Sequence, residues 1–221
     1  MKKFFKSLML ISVCLGLSAT VNAKTFRYAT TGDILGLDPH ANNEGPTNTM
    51  KGNIYGRMLH RKSDLSLEPD LATKWEKLDA NTWRFSLRRG VKFHNGNDFN
   101  ADDVLFSYKR QTQEASDMSF ALATIKQINK VDDYTVDLIT KGPDPILLLN
   151  MPMFYIVDKE WIEANNAFEV VRASGSTNFA NVNTNGTGPF KVVEWIQDTR
   201  IVLEPFEGYW GKNQIQHNLT K

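Results

Sequence analysis

A mixed α/β chain built largely from antiparallel strand pairs is what the sequence predicts, and three observations carry that prediction. Between Trp75 and Leu87, two short runs flank the turn-forming Asp79-Ala80-Asn81. Trp83, Phe85 and Leu87 alternate with Arg84, Ser86 and Arg88, as a strand with one apolar face requires. Asn100 stands before Ala101-Asp102-Asp103 as an N-cap with acids in the first helical turn, and Val104, Leu105 and Tyr108 then share a helical face. The alternation returns twice, at Ile125 to Val131 with Tyr134 to Ile139 around Asp132-Asp133, and at Phe190 to Trp195 with Arg200 to Pro205 around Gln197-Asp198-Thr199.

The elements follow in order from the N-terminus. Lys2, Lys3 and Lys6 precede an apolar run from Leu8 to Leu17, and Val21-Asn22-Ala23 offers a small-residue cleavage site, so residues 1–23 read as a secretory signal. The run is far shorter than the ~20 residues that span a bilayer. Cys14 would be a lipid anchor only with cleavage just before it, and Val13 is a poor residue for that cut. A chain cleaved at Ala23 has no cysteine, which excludes disulfides and thiol chemistry. Cleavage also removes three of the 26 basic residues, leaving 23 against 25 acidic ones. That balance gives no footing for nucleic acid or an anionic membrane surface.

Lys24 to Thr30 alternates as a first strand and delivers the polar turn Thr30-Thr31-Gly32-Asp33. Pro46 suits the first turn of a helix, and Met50, Ile54, Met58 and Leu59 repeat at helical spacing as a core stripe. His94-Asn95-Gly96 supplies a turn in which Asn-Gly adopts positive φ. Gln111 to Met118 reads as polar loop. Phe120, just beyond it, is expected in the core, with a ligand cleft as its alternative place. Pro143 and Pro145 interrupt the chain before Ile146 to Leu149, and Asp158 starts a short helix through Trp161 to Ala164. Ala173 to Gly188 is rich in Ser, Asn, Thr and Gly and reads as loop or domain crossing. Five tryptophans and thirteen phenylalanines argue for a packed core.

Catalytic signatures are missing. His40, His60, His94 and His217 lack metal-ligand spacing, and neither G-x-S-x-G nor a phosphate loop occurs. Asp102 and Asp103 are explained by helix-start electrostatics and His94 by its turn. No enzyme, metal or cofactor is expected.

Two separated motifs resemble the extracellular solute-binding proteins of family 5, the dipeptide, oligopeptide and nickel-binding subunits of bacterial ABC importers. The first comprises Leu71-Ala72, Trp75, Trp83, Phe85, Leu87-Arg88, Gly90 to His94, Gly96, Phe99, Ala101 to Val104, Ser107 and Arg110. The second is the G-T-G-P-F run from Gly186 to Phe190, followed after a strand pair by Tyr209-Trp210-Gly211. The resemblance implies an α/β fold of the periplasmic-binding-protein-like kind, type II, large three-subdomain class. Only part of the first lobe is expected here, with an accessory hairpin-rich subdomain. Residues 24–67 with 186–221 would form the partial first-lobe domain, and 68–185 the accessory subdomain.

In the resembled family the chain leaving the first strand lines the ligand cleft, which makes Thr30, Thr31, Gly32 and Asp33 cleft candidates beside Phe120. The implied partners are a peptide or other small solute and an ABC permease in the cytoplasmic membrane. A periplasmic monomer that binds no nucleic acid is expected. The chain covers well under half of the family's length, so an N-terminal fragment with one cleft wall and weak binding is expected. Nickel complexes, haem and sugars are alternative ligands on the same scaffold. A small exported β-rich interaction domain is the alternative of a different class.

Overall fold

The computed structural model describes residues 27, 29, 30, 32–172 and 178–212. The signal segment, Cys14, most of the expected first strand, Thr31 and His217 lie outside the described residues.

Helix α1 (Gly45–Ile54) opens with the Glu44 carboxylate accepting from Thr47 N and with Pro46 in its first turn. It stops one turn short of the helical stripe that Met58 and Leu59 would continue. Tyr55 is already extended, and Gly56 approaches Thr187 so closely that a Cβ would lie 2.4 Å from its Oγ1. Met58 and Leu59 are still core residues, fully buried on extended chain. A small pair, β1 (Leu59–Arg61) with β2 (Leu67–Pro69), follows.

The central sheet has the order β3-β4-β6-β5 and is antiparallel throughout, from β3 (Ala72–Lys77), β4 (Thr82–Leu87), β5 (Ile125–Asp132) and β6 (Thr135–Thr140). Both expected hairpins are therefore present and are joined edge to edge. Phe85 opposes Val136 and Trp83 opposes Leu138, so one face is continuous apolar surface. On the same strands Arg84 makes a paired contact to Asp137, 2.8 Å at each oxygen.

Helix α2 (Ala101–Gln111) packs beside β5. Its N-terminus is a capping box: Asn100 Oδ1 accepts from Asp102 N at 2.7 Å, and Asn100 N donates to Asp103 Oδ2 at 2.9 Å. Of the expected Val104-Leu105-Tyr108 stripe only Val104 is buried, Leu105 and Tyr108 packing partly buried at its edge, and the buried face instead takes in Phe106, Ser107 and Arg110. A 3-10 turn at Ser119–Leu122 follows. It leaves Phe120 48% exposed, against the expectation of burial, because Ala121 and Leu122 take the inward positions.

Short helices α3 (Leu147–Asn150) and α4 (Lys159–Ala164) come next, α4 capped by Asp158 as expected. Within the stretch expected to be loop, Asn178 caps one further turn, α5 (Phe179–Val182). Strands β7 (Phe190–Ile196) and β8 (Arg200–Pro205) form the third hairpin.

Buried apolar side chains gather in two clusters. One joins the inner face of the four-stranded sheet to Phe93, Phe99, Val104 and Met58. The other draws Ile34, Leu37, Met50 and Ile54 together with Phe106, Met118, Val157, Ile162 and Ala180, and the hairpin residues Val192, Trp195, Ile201 and Leu203 pack against it.

Candidate functional site

The candidate segment runs along this second cluster. Ala29, Thr30 and Gly32 are exposed and belong to no strand. The Thr30 hydroxyl donates to Gly32 O at 2.5 Å. From Asp33 onward the chain is fastened at successive points. Asp33 Oδ1 accepts from Ile34 N at 2.8 Å, and its Oδ2 accepts from Asp198 N at 2.6 Å. Leu35 N donates to Thr47 Oγ1, and Leu37 N to Asn181 O. An exposed polar run thus enters a frame made by α1, α5 and the β7–β8 turn.

Phe120 belongs elsewhere. It lines a depression of about 260 Å³ with Tyr108, Leu122, Ile125 and Lys141, and none of Thr30, Gly32 or Asp33 borders it. The structure does not bring the two sets of candidates together.

Beneath the segment lies a polar knot that reading the sequence did not find. Asp38 and Arg110 are fully buried, 72 residues apart, with Nη1 to Oδ1 at 2.8 Å and Nη2 to Oδ2 at 2.6 Å. Arg110 Nε and Nη2 also donate to Ala167 O, at 3.1 and 3.0 Å. Nη1 reaches His40 Nδ1 at 3.0 Å, and His40 Nε2 lies 2.9 Å from Tyr155 O. The imidazole is therefore neutral, with its proton on Nε2. Burial and the Arg110 charge push its pKa down to about 3. Burial raises the Asp38 carboxyl, but the charge and hydrogen bonds of Arg110 outweigh it and hold the group below its usual value. The available signal was Arg110 within the first motif, together with the titratable Asp38 and His40 in the otherwise apolar Leu37-Asp38-Pro39-His40.

A third arrangement joins the two motifs. Gly186 and Gly188 pass so close to the end of α1 that a Cβ would fall 2.0 Å and 2.7 Å from Ile54 O, and Gly188 N donates to that oxygen at 2.8 Å. His94 spans the passage: its backbone N donates to Gly186 O, its Nε2 lies 3.0 Å from Gly188 O, and its Nδ1 accepts from Gly186 N. Burial lowers its pKa to about 4. His94 is thus a staple between motifs, which is more than the turn residue expected.

Nearby, Asp158 Oδ2 accepts from the amides of Asn95, Asn97 and Asn185. Asp103, Asp158 and Glu160 carry oxygens within 4.8 Å of one another. Burial raises the Asp103 carboxyl to about 7, against the N–H groups of Lys159 and Asn100, with Glu160 and Asp158 adding to the rise. Both Asp103 oxygens cap helix starts, so helix-start chemistry accounts for the cluster.

These junctions hold a chain whose fold is that of part of a periplasmic binding protein. OppA of Burkholderia pseudomallei superposes with a TM-score of 0.72 at 21% identity, over 84% of this chain and 39% of that chain, a likeness that shows the fold alone. The periplasmic binding protein DppA of Helicobacter pylori, solved with the peptide STSA, gives a TM-score of 0.69 at 30% identity, over 81% of this chain and 38% of that one. Residues 66–218 match the family model described as bacterial extracellular solute-binding proteins, family 5 Middle, and the chain belongs to that family. Among its relatives, the dipeptide-binding protein of Escherichia coli K12 is 32% identical over 92% of this chain and 42% of its own length. Heme-binding protein A of Haemophilus influenzae is 32% identical over 84% of this chain and 37% of its own. The chain thus spans about two-fifths of the length of these relatives. Both are binding proteins by name. Among the described residues, no helix is long and apolar enough to cross a membrane.

Proposed function

We propose that this sequence supplies one wall of the ligand cleft in the substrate-binding component of an ABC importer, which captures peptides outside the cytoplasmic membrane and hands them to the permease. The observation that carries the reading is family membership combined with the exposed, strand-free residues Thr30 and Gly32, which lead into a frame fixed at Asp33, Leu35 and Leu37. An extended peptide pairs with such a backbone as an added strand. Phe120, half-exposed in its own depression, is proposed as a second contact separate from that segment. We also propose the division into residues 24–67 with 186–221 and residues 68–185, a periplasmic location and a monomeric state.

Binding proteins of this kind hold ligand by closing two walls around it. The 221-residue polypeptide on its own is therefore expected to bind dipeptides more weakly than micromolar. Calorimetry with Met-Leu tests this, and micromolar affinity would overturn the one-wall reading. NMR titration with millimolar Met-Leu should still move the amides of Thr30, Gly32 and Phe120. No movement there removes the peptide-wall assignment. The 32% identity to a heme-binding protein favours haem as the second reading, and haem shifting the same amides where Met-Leu does not would establish it.

A further inference from the structure

We infer that Asp33 is a positioning residue and not a ligand contact: it staples the exposed residues Ala29, Thr30 and Gly32 to the tip of the β7–β8 hairpin. The inference rests on the cleft-wall reading above and assigns its acidic member a different task from its neighbours. Three observations support it.

Both carboxylate oxygens are already engaged by backbone donors, Oδ1 by Ile34 N at 2.8 Å and Oδ2 by Asp198 N at 2.6 Å, the latter across 165 residues of chain. A short N–H bond to a carboxylate is of the stronger, charge-assisted kind. The donor is held in place. Asp198 sits at φ +56 in the turn, Thr199 N closes the turn onto Ile196 O at 3.0 Å, and Arg200 grips Glu194 across the strand pair at 2.7 and 3.1 Å. The hairpin itself does not float. Val192, Trp195, Ile201 and Leu203 pack on the cluster that contains Ile34, the residue following Asp33. A carboxylate tied to a turn that is anchored in the core sets where the preceding exposed residues lie.

The test uses the whole chain without ligand, so that failure of peptide binding leaves it unaffected. Amide hydrogen exchange and 15N relaxation are followed for Asp198, Ala29, Thr30 and Gly32, with the amides of the four-stranded sheet as the reference for global stability. Asp33→Ala should speed exchange at Asp198 by about tenfold and raise the mobility of Ala29, Thr30 and Gly32, with the sheet unchanged. Asp33→Asn, which keeps an acceptor oxygen, should restore most of the protection. Asp198→Gly keeps the N–H and tolerates positive φ, and should behave as wild type. Unchanged exchange at Asp198 in Asp33→Ala, or unchanged mobility at Thr30 and Gly32, overturns the inference. A second arm titrates Met-Leu. If Asp33→Asn abolishes the shifts at Thr30 and Gly32 while retaining Asp198 protection, the carboxylate meets the ligand ammonium directly and the positioning role is wrong.

Discussion

Replacing Arg110 by methionine isolates the one ion pair among the described residues whose two side chains are both fully buried. The guanidinium has no exposure and supplies two bonds to Asp38, two to Ala167 O and one to His40. Methionine fills much of the volume but leaves the Asp38 carboxylate buried, with the backbone N of His40 as its remaining recorded donor. Stranding one member of a buried pair costs about 3–5 kcal/mol, a large part of the roughly 5–15 kcal/mol that holds a typical domain together. Asp38 would answer by taking up a proton. Its pKa, held low by Arg110 in the wild type, would rise above the unfolded value, so the penalty should shrink as pH falls. Removing both charges in Asp38→Leu/Arg110→Met should recover most of the loss. Urea unfolding followed by tryptophan fluorescence at pH 7 and pH 5 measures all three variants. An Arg110→Met cost below about 1 kcal/mol, or a double variant no better than the single one, would refute the claim that the pair is one buried electrostatic unit.

Gly186→Ala places a methyl 2.0 Å from Ile54 O, backbone that cannot step aside, and should cost more than about 3 kcal/mol or abolish the cooperative melt seen by circular dichroism. Asn100→Ala removes one half of the capping box and should cost about 1 kcal/mol in the same assay, confined to the α2 amides in hydrogen exchange. His94 has a folded pKa of about 4 against an unfolded value near 6.5, so the unfolded chain binds the extra proton between those limits, and stability falls as pH drops through that window. His94→Gln should remove the His94 share of the pH dependence of the urea midpoint between pH 6.5 and 4, leaving the contribution of the same sign from His40 and the opposing one from Asp103, and an unaltered slope would show that His94 does not contribute.

The three hairpins and the N-caps of α2 and α4 were legible because their causes are local: turn residues, alternation and a capping side chain lie within a few positions of the structure they produce. The end of α1 was not, because Met58 and Leu59 continue its spacing and the interruption comes from Gly56 meeting Thr187, 131 residues on. Arg110 was legible as part of a motif, but its role needed Asp38, 72 residues earlier. Phe120 was misread because hydrophobicity alone does not say which of Phe120, Ala121 and Leu122 a 3-10 turn points inward. For the candidate site, the polar run Thr30 to Asp33 was visible as a run. The sequence did not separate Asp33 from its neighbours, since that distinction depends on Asp198 at the far end of the chain.

The bond from Asp33 to Asp198 also sets a clock on synthesis. A ribosome adding roughly 5–20 residues per second needs about 8–33 s to travel the 165 positions between those residues. Through that interval the segment after Gly32 has neither its hairpin clamp nor the hairpin side chains that pack over Ile34. The early part of the polypeptide therefore waits, open and unclosed, until the last strands of the described fold have been made.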